Sequence, residues 1–189
     1  MEGRFMEHKG SKILKTQRLT LRPFRVSDAE AMFKNWASDP DVTKFLTWTP
    51  HKNVEETRAL LTVWEEDAKS PETYHWAIEC EGELVGDIAL VWVHGENAVV
   101  GYCLCKRFWG KGIMTEALRE VLRYCFEEVG FHRIESSHSV ENPASGRVME
   151  KCGLRFEGVK RKAFRLLSTG EWTDIAQRAI LEEDYFARK

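Results

Sequence analysis

Between residues 74 and 128 the hydrophobic pattern changes period once, and that change limits the folds open to the chain. Tyr74 to Glu79, Glu83 to Val93 and Ala98 to Cys105 are rich in Val, Ile, Leu, Trp and Tyr and are separated by turn residues. Such runs predict strands, and the short turns Glu81-Gly82 and His94-Gly95-Glu96-Asn97 predict an antiparallel meander. From Gly112 to Glu128 the period becomes that of a helix. Ile113, Ala117, Val121 and Cys125 form one apolar row, and Met114, Leu118, Leu122 and Phe126 the next. So broad an apolar face has to pack on a sheet. Gly130 stands where a glycine stop belongs.

The flanks read in the same terms. Arg18-Leu19-Thr20-Leu21-Arg22 alternates as a half-buried strand. Ser27-Asp28-Ala29-Glu30 has the form of a capping box, with Ser27 as N-cap and Glu30 three residues on. Ala29, Met32, Phe33 and Trp36 keep helical spacing until Asp39-Pro40 stops them. A second helix is predicted from Val54 to about Ala68. Arg133 to Val140 is a weakly apolar strand candidate, and Asn142-Pro143 opens a short helix that Gly153 closes. Two more strands, Arg155 to about Arg165 and Glu171 to Leu181, join near Ser168-Thr169-Gly170. The plan is a mixed α/β (α+β) domain over 13–189, preceded by a polar, flexible segment over 1–12.

The bulk properties exclude several classes of partner. A net charge of -2 over 189 residues gives no field that would recruit nucleic acid or an anionic membrane. The basic run Lys160, Arg161, Lys162 and Arg165 reads as solvated groups. No apolar run is long enough to span a membrane, and no signal-peptide pattern is present. Cys80, Cys103, Cys105, Cys125 and Cys152 are odd in number and show no C-x-x-C spacing, which fits reduced thiols in a cytoplasmic protein. The six histidines include no H-E-x-x-H, so no metal is assigned.

Chemistry is concentrated where the period changes. In Arg107-Phe108-Trp109-Gly110-Lys111-Gly112-Ile113, two glycines let the backbone turn sharply between a strand and a helix. Unpaired amides at the helix start, with the positive end of the macrodipole behind them, suit a phosphate or pyrophosphate. The dinucleotide pattern fails because Thr115 stands at the third glycine, and the P-loop spacing is absent. A phosphorylated ligand held by backbone amides, such as coenzyme A, fits this description. The second feature is Asn142-Pro143-Ala144-Ser145, which reads equally as a helix cap or as part of a site.

Arg107-x-x-Gly110-x-Gly112, Glu141-Asn142-Pro143-Ala144-Ser145 and Lys151-Cys152-Gly153-Leu154-Arg155-Phe156-Glu157-Gly158 together resemble the GNAT acetyltransferases. Within that superfamily the chain is similar to the branch that includes the ribosomal-protein N-terminal alanine acetyltransferases. The resemblance covers residues 14 to 186, including Leu19 to Phe24 and Trp172-Thr173-Asp174. It implies the GNAT fold: a mixed, mostly antiparallel sheet whose splayed central strand leads into the pyrophosphate-binding helix. Acetyl-CoA would be the cosubstrate and a primary amine the acceptor, with a homodimer among the family's assemblies.

The resemblance also implies roles. The splayed strand, including Tyr102, Cys103 and Leu104, would pair its free backbone groups with the pantetheine arm. Arg107, Phe108, Trp109, Gly110, Lys111 and Gly112, with Ile113, Met114 and Thr115 of the following turn, would hold the pyrophosphate. Asn142 would face the pantetheine or thioester. Ser145 would protonate the leaving thiolate, and an amide near Cys103 would polarise the thioester carbonyl. The amine would attack directly in a ternary complex, and only its neutral form attacks. An α-amine of pKa near 8 is about a tenth neutral at pH 7, and a lysine amine about 0.04%. Relatives often carry a carboxylate as base on the strand that here reads Ala98-Val99-Val100-Gly101-Tyr102, with Val99 in the acidic slot. Asp87, His75, Glu79 and His138 are possible substitutes, and Phe45 to Lys52 and Trp48, Trp64, Trp76, Trp92 and Trp109 could shape an acceptor pocket. The missing carboxylate leaves open a second reading, a catalytically silent acetyl-CoA-binding module.

Overall fold

The alternating segment around residue 20 and the three runs of the meander form neighbouring strands of one sheet. A computed structural model describes residues 6–188. Its strands are β1 (Leu14–Lys15), β2 (Leu19–Arg22), β3 (His75–Cys80), β4 (Glu83–His94), β5 (Asn97–Leu104), β6 (Arg133–Ser139), β7 (Arg155–Arg165) and β8 (Trp172–Leu181). They make an eight-stranded sheet in the order β1-β2-β3-β4-β5-β6-β8-β7. Every neighbouring pair is antiparallel except β5 and β6, which run parallel. The expected architecture is therefore present: a mostly antiparallel sheet with one long helix crossing between its two parallel central strands.

That crossover is α4 (Ile113–Arg123), extended by a π-helical stretch over Tyr124–Val129 and closed by Gly130 at φ 91°. Its predicted rows are buried: Ile113, Met114, Ala117, Leu118, Val121 and Leu122 all face the core. Each large aliphatic among them contributes about 1.5–3 kcal/mol by leaving water. With α5 (Pro143–Lys151), α4 covers one face of the sheet. The other face is covered by α1 (Ala29–Met32), a π-helical turn over Phe33–Ala37, α2 (Pro40–Thr43) and α3 (Val54–Asp67). A last short helix, α6 (Glu182–Phe186), follows β8.

Two local expectations are corrected. The capping box does not form on Ser27 and Glu30. Asp28 Oδ2 instead accepts from the Arg25 N–H at 2.8 Å, while Glu30 reaches Arg58 on α3 at 3.1 Å. The reason is a long-range partner: the Arg22 guanidinium bonds both Asp28 oxygens at 2.8 Å and also binds Glu79 at 2.7 Å. Second, Asp39-Pro40 does more than end a helix. Asp39 accepts from the Asp41 N–H at 2.8 Å and so caps α2.

Residues 1–5 of the segment expected to be flexible lie outside the described residues. Residues 6–12 carry no helix or strand, and hydrogen bonds to residues distant in sequence hold them: Gly10 N to Pro71 O at 2.7 Å, Ser11 Oγ to Thr73 O at 3.0 Å and Trp76 Nε1 to Lys12 O at 2.7 Å.

The Arg22–Asp28 pair has side chains only 10% and 11% exposed, so losing one partner strands the other charge. Asp28→Ala is expected to cost about 3–5 kcal/mol in a urea titration. A loss below about 1 kcal/mol would contradict this reading of the pair.

Candidate functional site

The site begins where β5 and β6 part. Their parallel ladder covers only Asn97 to Val99 against Arg133 to Glu135. Ser136 Oγ then donates to the Val100 carbonyl at 2.8 Å. Beyond that point Ser137, His138 and Ser139 pair with β8 alone, and Tyr102 to Leu104 have no partner on β6.

Strand alternation decides which backbone groups face this gap. Cys105 N donates to Val85 O at 2.8 Å, so residues 105, 103 and 101 turn their amides and carbonyls toward β4. A Cβ on Gly86 would collide with the Cys103 carbonyl oxygen, which confirms the direction. Tyr102 and Leu104 therefore face the gap. The oxyanion donor expected near Cys103 cannot be the Cys103 amide itself, because that amide belongs to the β4 ladder. The Leu104 carbonyl accepts from Trp109 Nε1 at 2.7 Å, which leaves the Tyr102 amide and carbonyl and the Leu104 amide turned to the open side.

The strand leads into a 3-10 turn, Lys106–Phe108, and then into the glycine pair. Gly110 and Gly112 sit at φ 74° and 76°, the left-handed region that glycine enters without strain. Glu116 N to Gly112 O at 3.0 Å is the first bond of α4, so the Ile113, Met114 and Thr115 amides precede the ladder and lack an intrahelical acceptor. No side chain caps this end. The Ile113 and Met114 side chains are in the core, so only their backbones are available to a ligand. Arg107 is held by Glu83 and by Asn35 Oδ1 at 3.2 Å, and Lys111 Nζ lies 5.1 Å from the Phe108 ring centroid. Glu116 receives Thr16 Oγ1 at 2.6 Å and Arg18 Nε at 2.7 Å, which ties α4 to the β1–β2 turn and neutralises the carboxylate nearest the amides.

On the far side of the gap, Asn142 Oδ1 caps α5 by accepting from Ser145 N at 3.3 Å. Ser145 and Tyr102 are brought together: the Tyr102 hydroxyl lies 3.0 Å from Ser145 Oγ and 3.1 Å from the Ser145 carbonyl. A carbonyl can only accept, so tyrosine donates there and offers its oxygen to the serine proton. Burial pushes the Tyr102 phenol up, opposed by the Ser145 hydrogen bond, and it stays a donor at neutral pH. Sequence reasoning gave Tyr102 a backbone role and missed this side-chain contact.

His138 stands beside Ser145 on β6. Its Nδ1 donates to the Ser139 carbonyl at 2.8 Å, so in the neutral ring Nε2 keeps a lone pair, and that buried atom has no partner among the described residues. The ring fits only because residue 146 is glycine. A mid-helix glycine is the sequence signal that could have revealed this close approach.

The remaining candidates separate clearly. Glu79 is committed to Arg22. Asp87 receives His75 Nε2 at 3.0 Å and Cys103 Sγ at 2.7 Å. Trp76 is wholly in the core, and Trp109 is spent on Leu104. Within 45–52, Trp48 contacts His51, whose Nδ1 lies 2.7 Å from Thr57 Oγ1. Ser168 Oγ donates to the carbonyl of Lys44, the residue before that segment, at 3.0 Å, which links the end of α2 to the β7–β8 turn.

Comparison with known proteins agrees with this geometry. Residues 18–155 match the family model described as an acetyltransferase (GNAT) domain. The chain is 34% identical over 180 residues to a probable N-acetyltransferase, YjcK, of Bacillus subtilis, covering 91% of this chain and 98% of that protein. A crystal structure of a GNAT-family acetyltransferase from Bacillus anthracis superposes with a TM-score of 0.79 at 32% identity, over 91% of this chain and 99% of the other. RimL, a ribosomal L7/L12 α-N-protein acetyltransferase solved in complex with coenzyme A, shares the fold with a TM-score of 0.82 at 23% identity, over 90% and 98% of the two chains.

A Cβ on Gly146 would lie 2.6 Å from His138 Nε2 and 2.8 Å from its Cε1. Alanine at an ordinary helix position stabilises by about 1 kcal/mol over glycine. Gly146→Ala is expected to do the reverse, costing about 1–3 kcal/mol as the ring is displaced. A raised melting temperature would contradict the packing described.

Proposed function

This chain belongs to the GNAT acetyltransferases, and from that premise we propose that it moves an acetyl group from acetyl-CoA, bound between β5 and β6, to a primary amine. The observation that carries the reading is the continuity of hydrogen-bond donors along one path. It runs from the amides at the start of α4 to the gap-facing backbone of Leu104 and Tyr102 and ends at the Ser145 hydroxyl. The coenzyme A bound in RimL is a ligand of the same chemistry on the same fold.

The residues present divide the work by position. The positive end of α4 and the amides of 112–115 take the pyrophosphate, where the two glycines keep side chains out of the way. The pantetheine arm, an amide chain, pairs with Tyr102 and Leu104 as a strand would. Their outward amides are the donors available to the thioester oxygen as it gains charge, a contribution of about 3–4 kcal/mol when one such donor is lost. Ser145 lies at the head of α5, oriented by Tyr102, where its hydroxyl can protonate the departing sulfur. Both reactants are held at once, so proximity supplies much of the rate.

The acceptor is a protein N-terminal α-amine or a small amine, the former asking less of the enzyme because more of it is neutral at pH 7. The resemblance to ribosomal-protein acetyltransferases supports a protein N-terminus.

The test is thiol release from acetyl-CoA against alanine-, serine- and methionine-initiated peptides, polyamines, aminoglycosides and free amino acids. Turnover with one class is expected. Ser145→Ala should lower kcat by about 10- to 100-fold with little change in acetyl-CoA affinity. Unchanged turnover in that variant would leave Ser145 a packing residue only.

A further inference from the structure

We propose that Asp87 is the base that takes the proton from the attacking amine, in the role left open by Val99. This rests on the acetyl-transfer reading above and adds to it a residue and a path.

A carboxylate in the middle of β4 is out of character with its strand. Leu84, Val85, Ile88, Ala89 and Leu90 around it are all buried, and an ionised group there is costly unless it is bonded. Both oxygens of Asp87 are bonded. His75 on β3 donates from Nε2 to Oδ2 at 3.0 Å, and Cys103 on β5 donates from Sγ to Oδ1 at 2.7 Å. Burial and the neighbouring Asp87 charge push the Cys103 thiol well up, so it remains protonated and donates. Each carboxylate oxygen keeps a further lone pair. Neither donor is a permanent cation. Glu79 differs in that respect, because Arg22 holds it. The titratable groups bonded to Asp87 are His75 from β3 and Cys103 from β5. Against His75 pack Trp64 of α3 and Phe24, neither of which is charged.

Placement makes the cluster chemical rather than structural. Asp87 pairs across to Cys103, the residue between the two that face the gap. One strand spacing, about 4.8 Å, therefore separates its backbone from the strand that carries the acyl group. Cys103 packs toward the α1 and α3 side of the sheet, and the Asp87 carboxylate meets it there. The pyrophosphate amides belong to α4 on the opposite face. An amine reaching the thioester from the α1 and α3 side passes this carboxylate. His75, with Trp64 and Trp92, also lines an open groove of about 740 Å³, which gives the proton a way out to water.

The step balances as follows. A free lone pair of Asp87 takes one proton from the ammonium nitrogen, leaving a neutral amine and a carboxylic acid. The amine nitrogen bonds the thioester carbon and the C–S bond breaks. The sulfur takes the Ser145 hydroxyl proton, the surplus proton on the new amide nitrogen replaces it, and Asp87 returns its proton to water beside His75.

The test compares wild type with Asp87→Asn. Acetyl-CoA affinity is measured by calorimetry, and thiol release with a mixture of an alanine-initiated peptide, spermidine and lysine is followed from pH 7 to 10.5. Asp87→Asn is expected to lose about 100-fold in kcat at pH 7 with unchanged acetyl-CoA affinity. That deficit should shrink as rising pH supplies neutral amine directly. An Asp87→Asn enzyme close to wild type at pH 7, or one reduced equally at every pH, overturns the proposal. Wild type that binds acetyl-CoA and acetylates nothing in the mixture overturns the transfer reading itself, and wild type that does not bind it overturns the coenzyme site.

Discussion

Pairing between β5 and β6 is the constraint on which the rest of the molecule turns. A parallel pair normally zips along its whole length, with a helix laid over the join. Here the ladder ends after Val99, and β6 goes on paired only to β8. Several groups occupy the backbone where the pairing stops. Ser136 caps the Val100 carbonyl where the ladder stops, Trp109 takes the Leu104 carbonyl where the strand ends, and the first turn of α5 stands between Tyr102 and His138. Unpaired strand backbone is costly when it is dry and unbonded. A fold that keeps Tyr102 and Leu104 open has left room for a chain of amides to act as the missing strand.

The same divergence explains why so many small features meet in one place. The glycine pair is needed for its positive φ as the chain turns from β5 into α4, and a Cβ at Gly110 would meet no protein atom within 4 Å. Open space at that turn suits a ligand. Glu116, in the first turn of α4, would repel an anion if Arg18 did not pair with it. Tyr102 bridges the gap with its side chain while its backbone stays free, so one residue both sets the width of the opening and orients Ser145.

The meander and α4 were legible in the sequence because their periods are local and strong, and Gly130, Gly153 and Asn142 punctuate them with residue chemistry that needs no tertiary context. Other features depended on distant partners. Ser27 and Glu30 do not form the expected capping box, because Asp28, bound by Arg22 of the preceding strand, accepts the Arg25 N–H instead. The pair of residues in β1 is too short to show a pattern, and Asp39-Pro40 reads as a stop although the same two residues start α2. At the site, residue types were legible and register was not. Whether the Cys103 amide or its neighbours face the gap is fixed by the bond from Cys105 to Val85, which no spacing in the sequence reveals. Asp87 stood among several equivalent carboxylates and histidines until three adjacent strands placed His75 and Cys103 on its two oxygens.

On the proposed reading, the open segment of β5 and the first amides of α4 form one continuous coenzyme site. Residue-resolved amide hydrogen exchange, with and without coenzyme A, tests it most directly. New protection is expected at Tyr102, Leu104 and residues 112–115, with Cys103 unchanged because its amide is already held by β4. Protection confined to the groove over His75 and Trp92, or no change along β5 at saturating coenzyme A, would contradict it.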